Sequence, residues 1–220
     1  MAHPLAELAY RFESGRDLPL LVWRFPQPVR AVASGPLGGG IGLRQWIVNA
    51  TVDRAYDRLD PDEHVRELAG SLGLSGPGVG LLTALDVTEA VTASDEGVQV
   101  TATVGLGYPI MAAAPDEPAP TVGTINIVAL VPVGLTDAAL VNAVATVTEA
   151  KVQALWEAGV AATGTASDAV FVGCVNGRAD AREPFGGPRS TWGARLARVV
   201  HHAVRAGTDR WFDPKDPSRP

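Results

Sequence analysis

The residues that could do chemistry stand out because they interrupt apolar patterns. Lys151 is one of only two lysines in 220 residues; the other, Lys215, lies in a polar tail. On a helical wheel, Leu140, Val144, Val147, Lys151 and Leu155 fall within about 80° of one another, so the amine sits on a stripe meant for the core. An amine there must be paired, must reach water along its own stem, or must give up its proton. The plain reading is a lysine whose stem packs and whose head reaches water, set against a lysine that belongs to a site. Glu149 lies about 160° around the wheel from Lys151, so the two are not expected to pair. Asn126 is the one polar insertion in the apolar run from Gly123 to Val133, and Asn49 interrupts QWIVNATV in the same way. A buried Asn needs partners for an oxygen and an NH2 group, which neighbouring backbone could supply. Thr163, Thr165, Ser167 and Asp168 crowd one short turn. That set suits a strand-end site, and it equally suits ordinary turn chemistry. Cys174 lies inside the apolar FVGCV with no basic neighbour, which marks a packed thiol and not a nucleophile.

These groups need a frame. Thr136 or Asp137 can cap a helix of about 22 residues that Gly159 ends in the left-handed conformation. The Gly123–Val133 run before it reads as a strand covered on both faces, and Ala169–Val175 as the strand after it. Residues 18–25 and 29–34 read as two strands joined by a Pro-rich turn, followed by strands at Gln45–Val52, Gly78–Leu85 and Gly97–Gly107. Asp60-Pro61-Asp62-Glu63 starts a second helix, with Val65, Leu68, Ala69 and Leu72 inward, Gly73 at its end and His64 on the surface. A third helix from Ser190 turns Trp192, Leu196, Val199, Val200 and Ala203 inward, with His201 and His202 off that face. Ser34 to Gly42 holds five glycines in nine residues, including Gly38, Gly39 and Gly40. Such a loop can bring backbone N–H groups close to an oxyanion, or can be a plain flexible hairpin. The fold expected is α+β or α/β: a mixed sheet of about seven strands layered with three main helices. Residues 1–220 read as one domain, with 1–17 and 208–220 at its periphery and a mobile loop at 112–120.

Composition narrows the function. Hydrophobic residues make up 46% of the chain and charged ones 19%, with a net charge of -6. That balance argues against a nucleic-acid surface and gives no case for an anionic membrane. No apolar run reaches the length of a membrane span. One cysteine forbids an internal disulfide and suits a reducing, cytoplasmic setting. The four His and one Cys are scattered, so no metal site is expected. The helical run Asp62-Glu63-His64-Val65-Arg66-Glu67 begins like the Asp-x-His-x-x-Gly of cobalamin carriers, but Glu67 stands where the glycine belongs.

Several of these segments together resemble the adenosylcobinamide amidohydrolase family. They are GTINIVALVPVGLTDAALVNAVATVTEAKVQAL from Gly123 and TGTASDAVFV from Thr163, with ASGPLGGGIG, QWIVNATV and GVGLLTALDV upstream and GPRSTWGARLARVV downstream. The likeness spans about residues 29–205, and the Thr103–Pro109 segment departs from the family's Thr-x-Gly-x-x-Asn-Ala. The resemblance implies hydrolysis of the amide between the aminopropanol arm and the corrin ring of adenosylcobinamide, giving adenosylcobyric acid. The corrinoid would be substrate, and no cofactor is implied. Under that reading Lys151 is acid/base or oxyanion partner, and Glu149 or Asp168 activates water. Asn49, Asn126 and the Gly39–Gly40 backbone bind the amide, with Ser34, Gly38, Thr83, Thr124, Thr163 and Thr165 as further substrate contacts. All of these would converge on a cleft wide enough for a corrin. A corrinoid-binding module without turnover and a Thr-nucleophile amidase or acyltransferase cutting itself at Gly123-Thr124 stay open as alternatives. The expected partner is a small corrinoid, with homo-oligomers left open and neither nucleic acid nor membrane involved.

Overall fold

The spine of the molecule is an 18-residue strand, β2 (Arg16–Ala33). In this computed structural model, which describes residues 4–115 and 123–213, β2 is preceded by β1 (Glu7–Glu13) and followed by β3 (Gly40–Thr51), α1 (Pro61–Ser71) and β4 (Gly78–Thr83). Then come β5 (Val91–Asp95), β6 (Val98–Gly105), β7 (Thr124–Val131), α2 (Asp137–Glu157), β8 (Ala169–Cys174) and α3 (Thr191–Trp211). The mixed α+β class holds, with eight strands and three helices among the described residues.

The strand order is β4-β3-β2-β8-β7-β6-β5, with β1 added beside the first half of β2. The β3/β4 and β7/β8 pairs are parallel and the others antiparallel. Where two strands were expected around Pro26 to Pro28, β2 runs through. Its ladder with β3 shifts register between Arg24 and Val29. The prolines lack N–H donors, and an irregular stretch between two ladders needs none there. The shift lets one strand serve β1 and β3 with its first half, then β3 and β8 with its second.

The sheet halves pack on each other and helices cover their outer faces. Trp23, Ile47, Val79 and Leu81 share one apolar cluster with Val128, Leu130 and Phe171. Val65 and Leu68 of α1 close over Leu20, Val22, Trp46 and Val48. Helices α2 and α3 cover β5–β8, with Leu140, Val147, Leu155, Leu196 and Val200 all buried. Caps set the ends of α2: Thr136 Oγ1 accepts from Ala139 N, and Gly159 follows at φ +82. Residues 208–211 complete α3, while Lys215 and residues 116–120 of the expected mobile loop lie outside the described residues.

Candidate active site

Helix α2 aims Lys151 at the turn before β8, where the amine pairs with the Asp168 carboxylate. Both side chains are enclosed, at 9% and 13% exposure, so of the three options for an amine on this stripe the fold takes pairing. Asp168 is also bound from its own turn and from β7. Its Oδ1 accepts from Ile125 N (2.9 Å) and Thr165 Oγ1 (2.6 Å), and its Oδ2 from Thr165 N (3.2 Å). The crowding needs Gly164, because a Cβ there would collide with both Asp168 Oδ2 and Lys151 Nζ. Next to this knot Thr165 Oγ1 (2.7 Å) and Ser167 Oγ (3.0 Å) reach the Gly123 carbonyl, and Thr124 Oγ1 lies 2.7 Å from Ser167 Oγ. Lys151 and Asp168 therefore fix the first residues of β7.

Those residues open onto a cavity of about 350 Å³. Thr124, Asn126, Ser167 and Ala169 form one wall, with Leu82, Thr83 and Ala84 at the end of β4. Val52, Asp53, Arg54, Tyr56, Pro61 and Pro36 complete the lining. This volume takes a side arm of a ligand, not a whole corrin, so the wide cleft expected from the sequence is replaced by a narrower one. At its wall Asn126 Nδ2 donates to Asn49 Oδ1 and to Leu82 O, both at 2.9 Å, and Asn49 Nδ2 donates to Thr103 Oγ1 (3.2 Å). This crosslink ties the two sheet halves together at the cavity. Among the described residues it leaves Asn126 Oδ1 buried and without a partner.

The remaining sequence candidates fall as follows. Thr83 lines the cavity, and its Oγ1 accepts from Leu85 N. Ser34 exchanges two bonds with Val170, from its own N and to its own Oγ. Thr163 ties the turn to the 110–112 segment, accepting from Ala112 N. Gly38, Gly39 and Gly40 do not line the cavity. Arg44, itself buried, donates to the Gly38 carbonyl (2.8 Å) and the Leu43 carbonyl (2.8 Å), so the loop is stapled down by its acceptors. Burial, with no carboxylate to offset it, lowers the Arg44 pKa. Glu149 is exposed on the outer flank of α2, away from the cavity lining.

His64, expected at the surface, is 2% exposed. The apolar residues of α1 mark its inward stripe without His64, and polar partners hold this ring inside. His64 Nδ1 lies 3.0 Å from the Tyr56 hydroxyl, and Nε2 lies 3.2 Å from a Glu13 carboxylate oxygen. Arg11 Nε grips the same carboxylate (2.6 Å) while its Nη2 donates to the Thr51 carbonyl (2.7 Å). Tyr56 also stacks on the ring at 5.4 Å between centroids and lines the cavity. Burial, the largest influence, pushes the Tyr56 pKa up, so the hydroxyl keeps its proton. The sequence signal for this chain was the strict alternation in ELAYRFE, which puts Arg11 and Glu13 on one face of a strand. Cys174 is buried, accepts from Leu135 N (3.3 Å) and has its pKa raised by burial, as suits a packed thiol. Among the described residues no His, Cys, Asp or Glu cluster of metal-binding size forms, and no helix is long and apolar enough to cross a membrane.

A folded-over mixed sheet with helices outside, and a half-open cavity lined by Thr124, Asn126 and Ser167, define an α+β domain with room for a small ligand. The comparisons give the family. The model of the adenosylcobinamide amidohydrolases matches residues 5–215, and the chain belongs to that family, whose members cleave an amide C–N bond. An adenosylcobinamide amidohydrolase of Methanosarcina mazei is 30% identical over 186 residues, covering 81% of this chain and 90% of that one. One from Halobacterium salinarum is 37% identical over 177 residues, covering 71% and 74%. Among solved structures, the PH0078 protein of Pyrococcus horikoshii aligns over 94% of this chain and 84% of its own at 11% identity and a TM-score of 0.49.

Proposed function

We propose that this chain hydrolyses the amide joining the aminopropanol arm to the corrin ring of adenosylcobinamide, releasing adenosylcobyric acid and the free amine arm. The observation that supports the reading is the cavity wall in a chain of this family: Thr124, Asn126 and Ser167 line it together, and Asn126 keeps one acceptor without a donor among the described residues, closed off in the free chain, which a substrate amide N–H reaches only as the wall gives way. The Thr124–Ser167 pair stands on the same wall, and a hydroxyl that turns from its present partner, Ser167 or the Gly123 carbonyl, can donate to the carbonyl oxygen as charge develops there. A cavity of about 350 Å³ suits the arm, and the macrocycle would stay outside it, near lining residues that are exposed, such as Pro36, Arg54 and Ser167. The corrinoid enters as substrate, and the reaction needs only water besides.

In this reading Lys151 and Asp168 are positioning residues. Asp168 already accepts from Lys151 Nζ, Ile125 N and Thr165 N, with the Thr165 hydroxyl proton shared between it and the Gly123 carbonyl, so it has little capacity left to activate water, and neither residue lines the cavity. Their part is to hold Thr124 and Ser167 in place. The test is incubation of purified protein with adenosylcobinamide, followed by mass spectrometry of the corrinoid. Conversion to adenosylcobyric acid over many turnovers supports the proposal. Corrinoid bound at stoichiometric level and recovered unchanged would instead support the binding-module reading.

A further inference from the structure

The route for protons in this reaction is not supplied by the cavity wall around Asn126. We propose that Tyr56 is a catalytic residue, exchanging protons with the reacting amide and the attacking water, with His64 as its proton store and Glu13 as the group that orients His64. The inference rests on the amide-hydrolase reading above. Its geometry is independent of that reading: Tyr56 lines the cavity, His64 is buried behind it, and Glu13 closes the chain from β1.

The chain of donors has one direction. A carboxylate only accepts, so Glu13 fixes the proton of neutral His64 on Nε2. That leaves Nδ1 as the acceptor for the Tyr56 O–H at 3.0 Å. Arg11 Nε also donates to this carboxylate and is itself held by the Thr51 carbonyl, so Glu13 cannot swing away from His64 without breaking the Arg11 bond as well. A buried histidine backed in this way on both ring nitrogens has a larger role than filling α1, whose apolar stripe already packs through Val65 and Leu68.

The steps balance. As water adds to the amide carbon, a C–O bond forms and the water proton passes to the Tyr56 oxygen while the tyrosyl proton passes to His64 Nδ1. An imidazolium facing Glu13 results, and free tyrosinate is never formed, in keeping with a hydroxyl whose burial favours the protonated state. As the C–N bond breaks, the imidazolium returns its proton to the Tyr56 oxygen and the tyrosyl proton goes to the departing nitrogen. One proton leaves water, one reaches the amine, and the side chains end as they began.

The test joins kinetics to a spectrum that needs no substrate. Tyr56→Phe keeps the ring and should lower kcat by roughly 100-fold or more with KM almost unchanged. His64→Ala should lose activity similarly and regain part of it with added imidazole, which a purely structural histidine would not do. His64→Gln fills the same space and serves if the alanine variant folds poorly. In the wild-type protein, two-bond ¹H–¹⁵N correlations of the His64 ring should show Nε2 protonated and Nδ1 bare. A Tyr56→Phe enzyme of near-native kcat overturns the proposal, as does a ring protonated on Nδ1 with Nε2 bare. If wild-type protein does not cleave adenosylcobinamide, the reading of function fails on that result, and the ring spectrum still judges the relay.

Discussion

Replacing Lys151 with Met separates architecture from chemistry. The substitution keeps most of the stem's packing on α2 and removes only the charge. Asp168 would then lie at 13% side-chain exposure without its cation. Breaking one partner of a buried pair costs about 3–5 kcal/mol. Here Ile125 N, Thr165 N and Thr165 Oγ1 still bind the carboxylate, which puts the expected loss near the lower end, about 3 kcal/mol. For a chain of this size that is roughly 6–12 °C in Tm. Asp168→Asn leaves the ammonium buried opposite an amide and should cost a similar amount. The double variant removes both charges, so it should be more stable than the sum of the two losses by about 2 kcal/mol. Urea unfolding of the four proteins reads all of this, with kcat measured on the same samples. If Lys151→Met unfolds within about 0.5 kcal/mol of wild type while kcat collapses, the amine acts in the reaction and the positioning role assigned to it is refuted.

Three further outcomes are expected. Asn126→Ala should lower turnover by more than about tenfold and weaken the tie between the sheet halves, read as reduced kcat/KM and reduced Tm, because it removes the Asn49 bond and the free acceptor together; unchanged kinetics would remove Asn126 from the site. Cys174 should resist a thiol-specific reagent at pH 8 in the native protein and react fully in denaturant, since burial raises its pKa; fast native labelling would contradict that burial. The Arg58 guanidinium holds the Asp60 and Glu67 carboxyls below their ordinary values of 3.8 and 4.5. Their contribution is thus present above those values and is lost as pH falls through the lowered ones. The Tm gap between wild type and Arg58→Ala should therefore close on acidification, and a gap that persists at pH 2 would contradict the assignment.

Much of the α2 region was legible because its signals agree with one another. Thr136 and Gly159 mark the helix ends, the apolar stripe gives its face, and a lone lysine on that stripe leaves pairing as one of three options. That the partner is Asp168, 17 positions on, depends on the crossing of α2 over β8, which no local pattern encodes. The Gly38–Gly40 loop shows the opposite case. Glycines announce a close backbone approach but not whose: here Gly38 packs against Gly78, and the carbonyls of the loop turn to Arg44. The Tyr56–His64–Glu13 chain was hidden because β1 runs against the usual sense of burial. Its polar residues Arg11 and Glu13 are the more buried, while Leu8, Tyr10 and Phe12 are exposed at 49%, 59% and 76%. Apolar-inward reasoning turns that strand over and points Glu13 at solvent. Pro26 to Pro28 misled in another way, since prolines exclude a regular ladder but not a shifted one.

The most direct measurement is multiple-turnover incubation with adenosylcobinamide in water enriched in oxygen-18. The account predicts adenosylcobyric acid with one heavy oxygen in its new carboxylate, and a released amine arm carrying none. Unconverted corrinoid, or heavy oxygen appearing in the arm, would contradict it, because either result means that the amide carbon is not where water attacks.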